Sequence, residues 1–136
     1  MDEIIMKIKF LLILSLLAFG SLKAYSSCVM ASGTVYLDPS NPANNSELLV
    51  GNVSNVAFGQ YFLDQSIQGG GLISTFQAFP GFFSNNRYGF IGSSTTLYTS
   101  VQVLPTASPG AVNISQRIID VAGRIICSGS FQVVIL

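Results

Sequence analysis

The sequence predicts an all-β protein: a single small β-sandwich, or a partly open barrel, of seven to eight strands behind an N-terminal signal peptide. Short segments rich in β-branched and aromatic residues alternate with turns of glycine, proline and asparagine. The two cysteines lie near the two ends of the predicted mature chain. Charged residues make up only 9% of the 136 residues, so uncharged side chains must form most of the surface as well as the interior.

Residues 1–24 have the organisation of a secretory signal. Two lysines precede an apolar run over residues 10–19, and a short segment of small and polar residues follows. The run is shorter than the roughly 20 apolar residues that span a membrane. A membrane anchor and a lipoprotein modified at Cys28 remain as alternatives. We predict a secreted protein, extracellular or periplasmic, with one β-domain over residues 25–136 and no stable membrane insertion after cleavage.

Removal of the signal takes away every lysine of the chain. Residues 25–136 keep three arginines and four carboxylates: Arg87, Arg117, Arg124, Asp38, Glu47, Asp64 and Asp120. Nucleic-acid binding requires a basic patch, which this composition cannot form, so we expect no nucleic-acid partner.

A disulfide between Cys28 and Cys127 is the pairing that an oxidising compartment favours. It would tie the first strand to the last, because Cys127 leads directly into the apolar segment 131–136. Both faces of that last segment are largely apolar, which indicates a strand buried between layers. Two free or intermolecular thiols are the alternative.

The strands follow from alternation and from the turn residues between them. In the first, Val29, Ala31, Gly33, Val35 and Leu37 share one face. Further strands are predicted over 48–58, interrupted at Gly51, and over 60–63, 72–79, 95–104, 111–119 and 125–127. Asn85-Asn86 predicts a tight hairpin between residues 82–84 and 87–90, because asparagine tolerates positive φ. The three glycines at 69–71 predict a hinge or bulge.

The segment Asn113–Cys127 fits two structures. Ile114, Ile118, Val121 and Ile125 have helical spacing, whereas the weight of β-branched residues favours two strands. We favour strands.

The spacing of strands and turns resembles immunoglobulin-like sandwiches, or jelly-rolls, in general terms. The tryptophan of true immunoglobulin domains is absent, and the cysteines lie near the termini. The resemblance therefore concerns architecture alone.

Few catalytic chemistries are open to this chain. It contains no histidine, so a histidine base and an imidazole metal site are excluded. A pair of carboxylates, Asp64 with Asp120, is the catalytic option left, and nothing in their spacing brings them together. We expect a protein that is not an enzyme and that has no cofactor and no metal.

Two sets of residues are candidate sites on the surface. Phe82, Phe83, Tyr88 and Phe90 surround predicted turns, where exposed aromatic rings could contact a sugar or another subunit. Asn44, Asn52 and Asn113 begin N-glycosylation triplets.

The predicted function is that of a structural or interaction protein, a self-assembling or surface-associated subunit whose partners are copies of itself or other surface proteins. The alternative is a monomeric module that binds a carbohydrate or a small apolar ligand through the aromatic turn.

Overall fold

The computed structural model describes residues 26–136, which form a two-layer β-sandwich. The predicted signal peptide lies outside the described residues. The strands are β1 (Ser27–Val29), β2 (Thr34–Leu37), β3 (Ser46–Ser54), β4 (Gly59–Gln68), β5 (Leu72–Phe79), β6 (Phe82–Ser84), β7 (Arg87–Gly92), β8 (Thr95–Val103), β9 (Gly110–Asp120) and β10 (Ile125–Ile135). A single 3₁₀ turn, Pro42–Asn44, precedes β3.

One sheet has four strands in the order β1-β3-β8-β5, and the other has six in the order β2-β10-β9-β4-β7-β6. The predicted sandwich is confirmed. The predicted number of seven to eight strands was too low, in part because β1 and β2, of three and four residues, are separate strands and not one. Alternation over so few residues carries little signal. No helix of residues 26–136 is long and apolar enough to cross a membrane.

The predicted continuous first strand is wrong. The chain leaves the four-stranded sheet after Val29 and enters the six-stranded sheet at Thr34, where β2 pairs in parallel with β10. Gly33 between them has φ +85°, a conformation that residues with a side chain rarely adopt. Within β2 the predicted faces are right, since Val35 and Leu37 are buried.

The segment that fitted both a helix and strands forms strands. β9 and β10 are antiparallel neighbours from Gly110 opposite Ile135 to Ile119 opposite Ile125. Burial alternates along β9, with Ile114 and Ile118 inside. The hairpin predicted at Asn85-Asn86 is also confirmed, and both residues have positive φ, 52° and 61°.

Asp120 holds the turn between β9 and β10. Its carboxylate accepts hydrogen bonds from the backbone N–H groups of Arg124 and Ala122, at 2.9 and 3.0 Å, and from Nε of Arg124 at 2.9 Å. The bond from the Arg124 backbone N–H, aided by the other two, lowers the pKa of Asp120 below its ordinary value.

A lowered pKa in the folded state means that ionised Asp120 stabilises the fold above the unfolded pKa of about 3.9, and that this contribution is lost as the pH falls through the folded pKa. We therefore expect Asp120→Asn to lower the melting temperature at neutral pH. The difference from the wild type should shrink in melting curves recorded from pH 7 down to pH 2. A constant difference across that range would contradict this account of the turn.

β10 is an interior strand of its sheet, with β2 and β9 as neighbours. Phe131, Val133 and Ile135 are buried between the layers. The opposite face is not buried as predicted: Val134 is half-buried, and Leu136 is exposed beyond the end of the strand. In a two-layer sandwich, each sheet has only one inner face.

The interior consists of two apolar clusters with a polar group between them. The first cluster is centred on Ile114, Val101 and Val133, and the second contains Phe90, Ile118 and Cys127. The side chain of Gln116, which is fully buried, lies between them.

The polar group links four strands, β9, β8, β4 and β5. The Gln116 amide donates to Oγ1 of Thr99 at 2.9 Å and to Oε1 of Gln65 at 3.0 Å. Gln65 forms two hydrogen bonds with Ser74. The Gln65 amide donates to the backbone oxygen of Ser74, and Oε1 of Gln65 accepts from the Ser74 hydroxyl. Every buried side-chain N or O atom of the described residues has a hydrogen-bond partner, as stability requires.

The predicted disulfide between Cys28 and Cys127 is present, with the two Cα atoms 6.1 Å apart. It joins β1 of the four-stranded sheet to β10 of the six-stranded sheet, so it ties the layers as well as the first and last strands.

Candidate functional site

The four aromatic candidates lie in three environments, so they do not form one contact surface. Consecutive residues of a strand point to opposite sides, which separates Phe82 from Phe83. Phe90 is fully buried in the second apolar cluster, stacked on Tyr61 with ring centroids 5.0 Å apart. The prediction that Phe90 is an exposed contact residue is therefore wrong.

Phe82 lies on the outer face of the six-stranded sheet. Its ring crosses over Gly89, where a Cβ atom would come within 2.6 Å of the ring, and meets Phe62 edge-on at 6.2 Å. The guanidinium of Arg87 covers the Phe62 ring at 4.6 Å. Cation and ring attract each other, and this contact leaves one face of Phe62 occupied.

Phe83 and Tyr88 pair on the other side of the hairpin, with ring centroids 4.6 Å apart. Tyr88 is half-buried against the second cluster, and its hydroxyl accepts a bond of 3.3 Å from the Gln77 amide of β5. Of the four candidates, Phe83 alone is mostly exposed, at 58%.

The two carboxylates considered for catalysis are not a pair. Asp64 lies on the outer face of β4, opposite Arg117, and forms ion pairs with Arg87 at 2.9 Å and with Arg117 at 3.5 Å. Asp120 lies opposite Tyr61, three residue pairs away from Asp64 along the pairing of β4 with β9. At that distance the side chains point to the opposite face of the sheet. The Asp120 carboxylate is bonded within its own turn. No cluster of three potential metal ligands occurs within residues 26–136.

The three asparagines of the glycosylation triplets are all exposed. Asn44 ends the 3₁₀ turn, and Asn52 lies on β3 opposite Thr96. Asn113 lies in the middle of the six-stranded sheet, between Gln132 of β10 and Gln68 of β4. Their modification remains a prediction.

A surface that the sequence did not single out is the outer face of the four-stranded sheet, which we call the uncharged face. The register places its residues in rows across the sheet: Tyr98 lies between Val50 and Gln77, and Ser100 lies between Leu48 and Thr75. Its large apolar side chains are 50% to 70% exposed: Val29, Leu48, Val50, Ile73 and Phe79.

No charged residue lies on the uncharged face. The even-numbered residues of β3 and β8 and the odd-numbered residues of β5 point outwards, and all of them are apolar or uncharged polar. Glu47 of β3 lies opposite the buried Val101 and so falls on the other side of the sheet. The outer face of the six-stranded sheet, by contrast, carries Arg87, Asp64 and Arg117.

The uncharged face ends at an open strand edge. β3 pairs with β8 along Ser46–Val53, but β1 covers its other edge only opposite residues 52–54. Among the described residues, Ser46–Gly51 therefore has no strand partner on that side. Leu48 and Val50 lie in this unpaired stretch.

The sequence contains a signal for this face. Leu48-Leu49-Val50 is apolar at three consecutive positions, so neighbouring apolar side chains must point to opposite sides of a strand. In a two-layer fold one of these sides faces outwards. The apolar run at residues 48–50 does not show which strands pair with β3. It therefore could not predict that Ile73 and Phe79 of β5 lie on the same face.

Comparison with known proteins supports the fold alone. No family model matches the sequence, and no curated protein matches it. A chain in the crystal structure of a CaDoc0917–CaCohA2 complex has a TM-score of 0.52 and 11% identity, over 81% of this chain and 100% of that one. The CooA pilin subunit of enterotoxigenic Escherichia coli gives a TM-score of 0.48, with 10% identity over 81% and 96% of the two chains. For the N-terminal domain of PorA the TM-score is 0.47, with 10% identity over 82% and 97%.

Proposed function

We propose that this protein is an exported, non-catalytic interaction β-sandwich that docks onto a partner through its uncharged face. The observation that carries the proposal is the set of five large apolar side chains, at least half exposed, on a face without charge. Leu48 and Val50 adjoin on β3, and exposed apolar side chains that are rimmed by polar residues mark interaction sites.

Export is supported by the disulfide that joins the two sheets, since such bonds persist in oxidising compartments. The non-catalytic assignment is supported by the residues available for chemistry. The chain has no histidine, both cysteines are bonded to each other, and Asp64 and Asp120 are engaged in separate ion pairs.

Carbohydrate binding through the aromatic turn is the less favoured function. Sugar stacking needs free ring faces. Phe90 belongs to the core, Tyr88 is half-buried and Phe82 lies over Gly89. Phe83 is then the one mostly exposed ring of the four candidates, and it packs on Tyr88.

The proposal is tested by adding charge to the uncharged face. In Leu48→Lys with Val50→Lys, two exposed apolar side chains become charged, so docking should weaken through the cost of desolvating the ammonium groups. We expect the fraction of exported protein that stays with the producing cells to fall several-fold.

The matched control is Ser66→Lys with Ser130→Lys. Both residues are exposed on the outer face of the six-stranded sheet and lie opposite the uncharged Ser115, so the control adds the same charge elsewhere. Cell association should be unchanged in the control. Docking through the uncharged face would be refuted if the wild type and both variants, all with native melting temperatures, associated equally with the cells and also equally with themselves in solution.

A further inference from the structure

The identity of the docking partner can be inferred from the charges of the chain. We propose that the partner is a second copy of this chain, and that two copies stack their uncharged faces on each other across a two-fold axis. This inference rests on the proposed function and names the occupant of the face.

The first argument is electrostatic. Interfaces between different proteins generally gain specificity from complementary charges, and like charges brought together cost several kcal/mol. The uncharged face offers a different protein no charge to complement, and all seven charged residues within residues 26–136 lie elsewhere. Stacking the face on itself therefore brings no like charges together.

The second argument is shape. A two-fold interface uses the same patch on both copies, so the patch must complement itself. Along β8, the small Ser100 lies in register between Leu48 and Thr75, and the larger Tyr98 lies between Val50 and Gln77. Low and high points thus adjoin on one face, as in sheets that pack about 10 Å apart with interdigitated side chains.

The third argument is area. Three strands about 4.8 Å apart, each of about nine residues of 3.3 Å, define a face of roughly 14 by 30 Å, and the three-residue β1 adds about 50 Å², which gives about 480 Å² per copy. Two stacked faces bury on the order of 1,000 Å², in the range of weak and transient interfaces. The pair should therefore be a reversible dimer rather than an obligate one.

The test is sedimentation velocity on the purified protein with its disulfide intact, from about 1 to about 500 µM. The protein used carries no glycan at Asn52, because that residue lies on the uncharged face. We expect the weight-average sedimentation coefficient to rise from the monomer to the dimer value. Ile73→Lys should raise the dissociation constant at least about 10-fold, since a buried unpaired ammonium is costly. Ser130→Lys, which adds the same charge to the opposite sheet, should leave the dissociation constant unchanged.

Ile73 also separates face stacking from strand pairing at the open edge of β3. It lies on β5, two strands away from β3, so a dimer joined through the β3 edge would not respond to Ile73→Lys. A dimer with that insensitivity would overturn the stacking model, as would a wild type that stays monomeric to about 500 µM. Monomeric protein whose cell association still depends on Leu48 and Val50 would overturn self-stacking and leave the proposed function standing with another partner.

Discussion

Phe90→Ala is expected to lower the free energy of unfolding by about 3–5 kcal/mol, the usual cost of removing a large aromatic side chain from a core. Phe90 is fully buried and stacks on Tyr61, so its loss removes apolar burial and leaves a cavity between the sheets. Urea unfolding followed by circular dichroism measures the change.

Phe83→Ala is the matched control, because the same hairpin carries both residues. Its ring is 58% exposed, so we expect a loss of less than about 1 kcal/mol. A similar decrease in the free energy of unfolding in the two variants would contradict the burial of Phe90 and the exposure of Phe83.

Removal of the disulfide has the other large expected effect. Cys28→Ser with Cys127→Ser should destabilise the protein by about 2–5 kcal/mol, because the bridge closes a loop with a sequence separation of 99 residues. The double substitution avoids leaving a single free thiol. A domain of this size is usually stable by about 5–15 kcal/mol, so the variant could lose much of its folded population at elevated temperature.

Urea unfolding of the double variant and of wild-type protein reduced with dithiothreitol gives two independent measurements of this effect. Both should show the same decrease. A decrease below about 1 kcal/mol in both would mean that packing between the layers, without the bridge, already holds β1 in place.

The sequence predicts those features of the fold that depend on neighbouring residues. Alternation along β9 and in the second half of β10 gives their buried faces, and Asn85-Asn86 gives the hairpin. The β-branched residues of Asn113–Cys127 favour strands over a helix, and the pairing of β9 with β10 confirms this prediction.

Features that depend on pairing between distant strands could not be predicted. The change of sheet between Val29 and Thr34 is set by the pairing of β1 with β3 and of β2 with β10. For the same reason Phe90 was wrongly placed at the surface: its burial depends on Tyr61 opposite it on β4. The uncharged face likewise exists only after β3, β8 and β5 have paired.

Gln116 fixes how the two layers are aligned. If one sheet slid along the other by two residues, about 7 Å, the amide would face Leu97 or Val101 instead of Thr99. The bond to Gln65 in the same sheet would survive, but the buried amide would lose its bond to Thr99 at a cost of about 1–3 kcal/mol, whereas apolar residues alone would tolerate such a shift. Gln116 thus favours one alignment of the layers, and with it one outer shape that each copy of the chain presents to whatever it contacts.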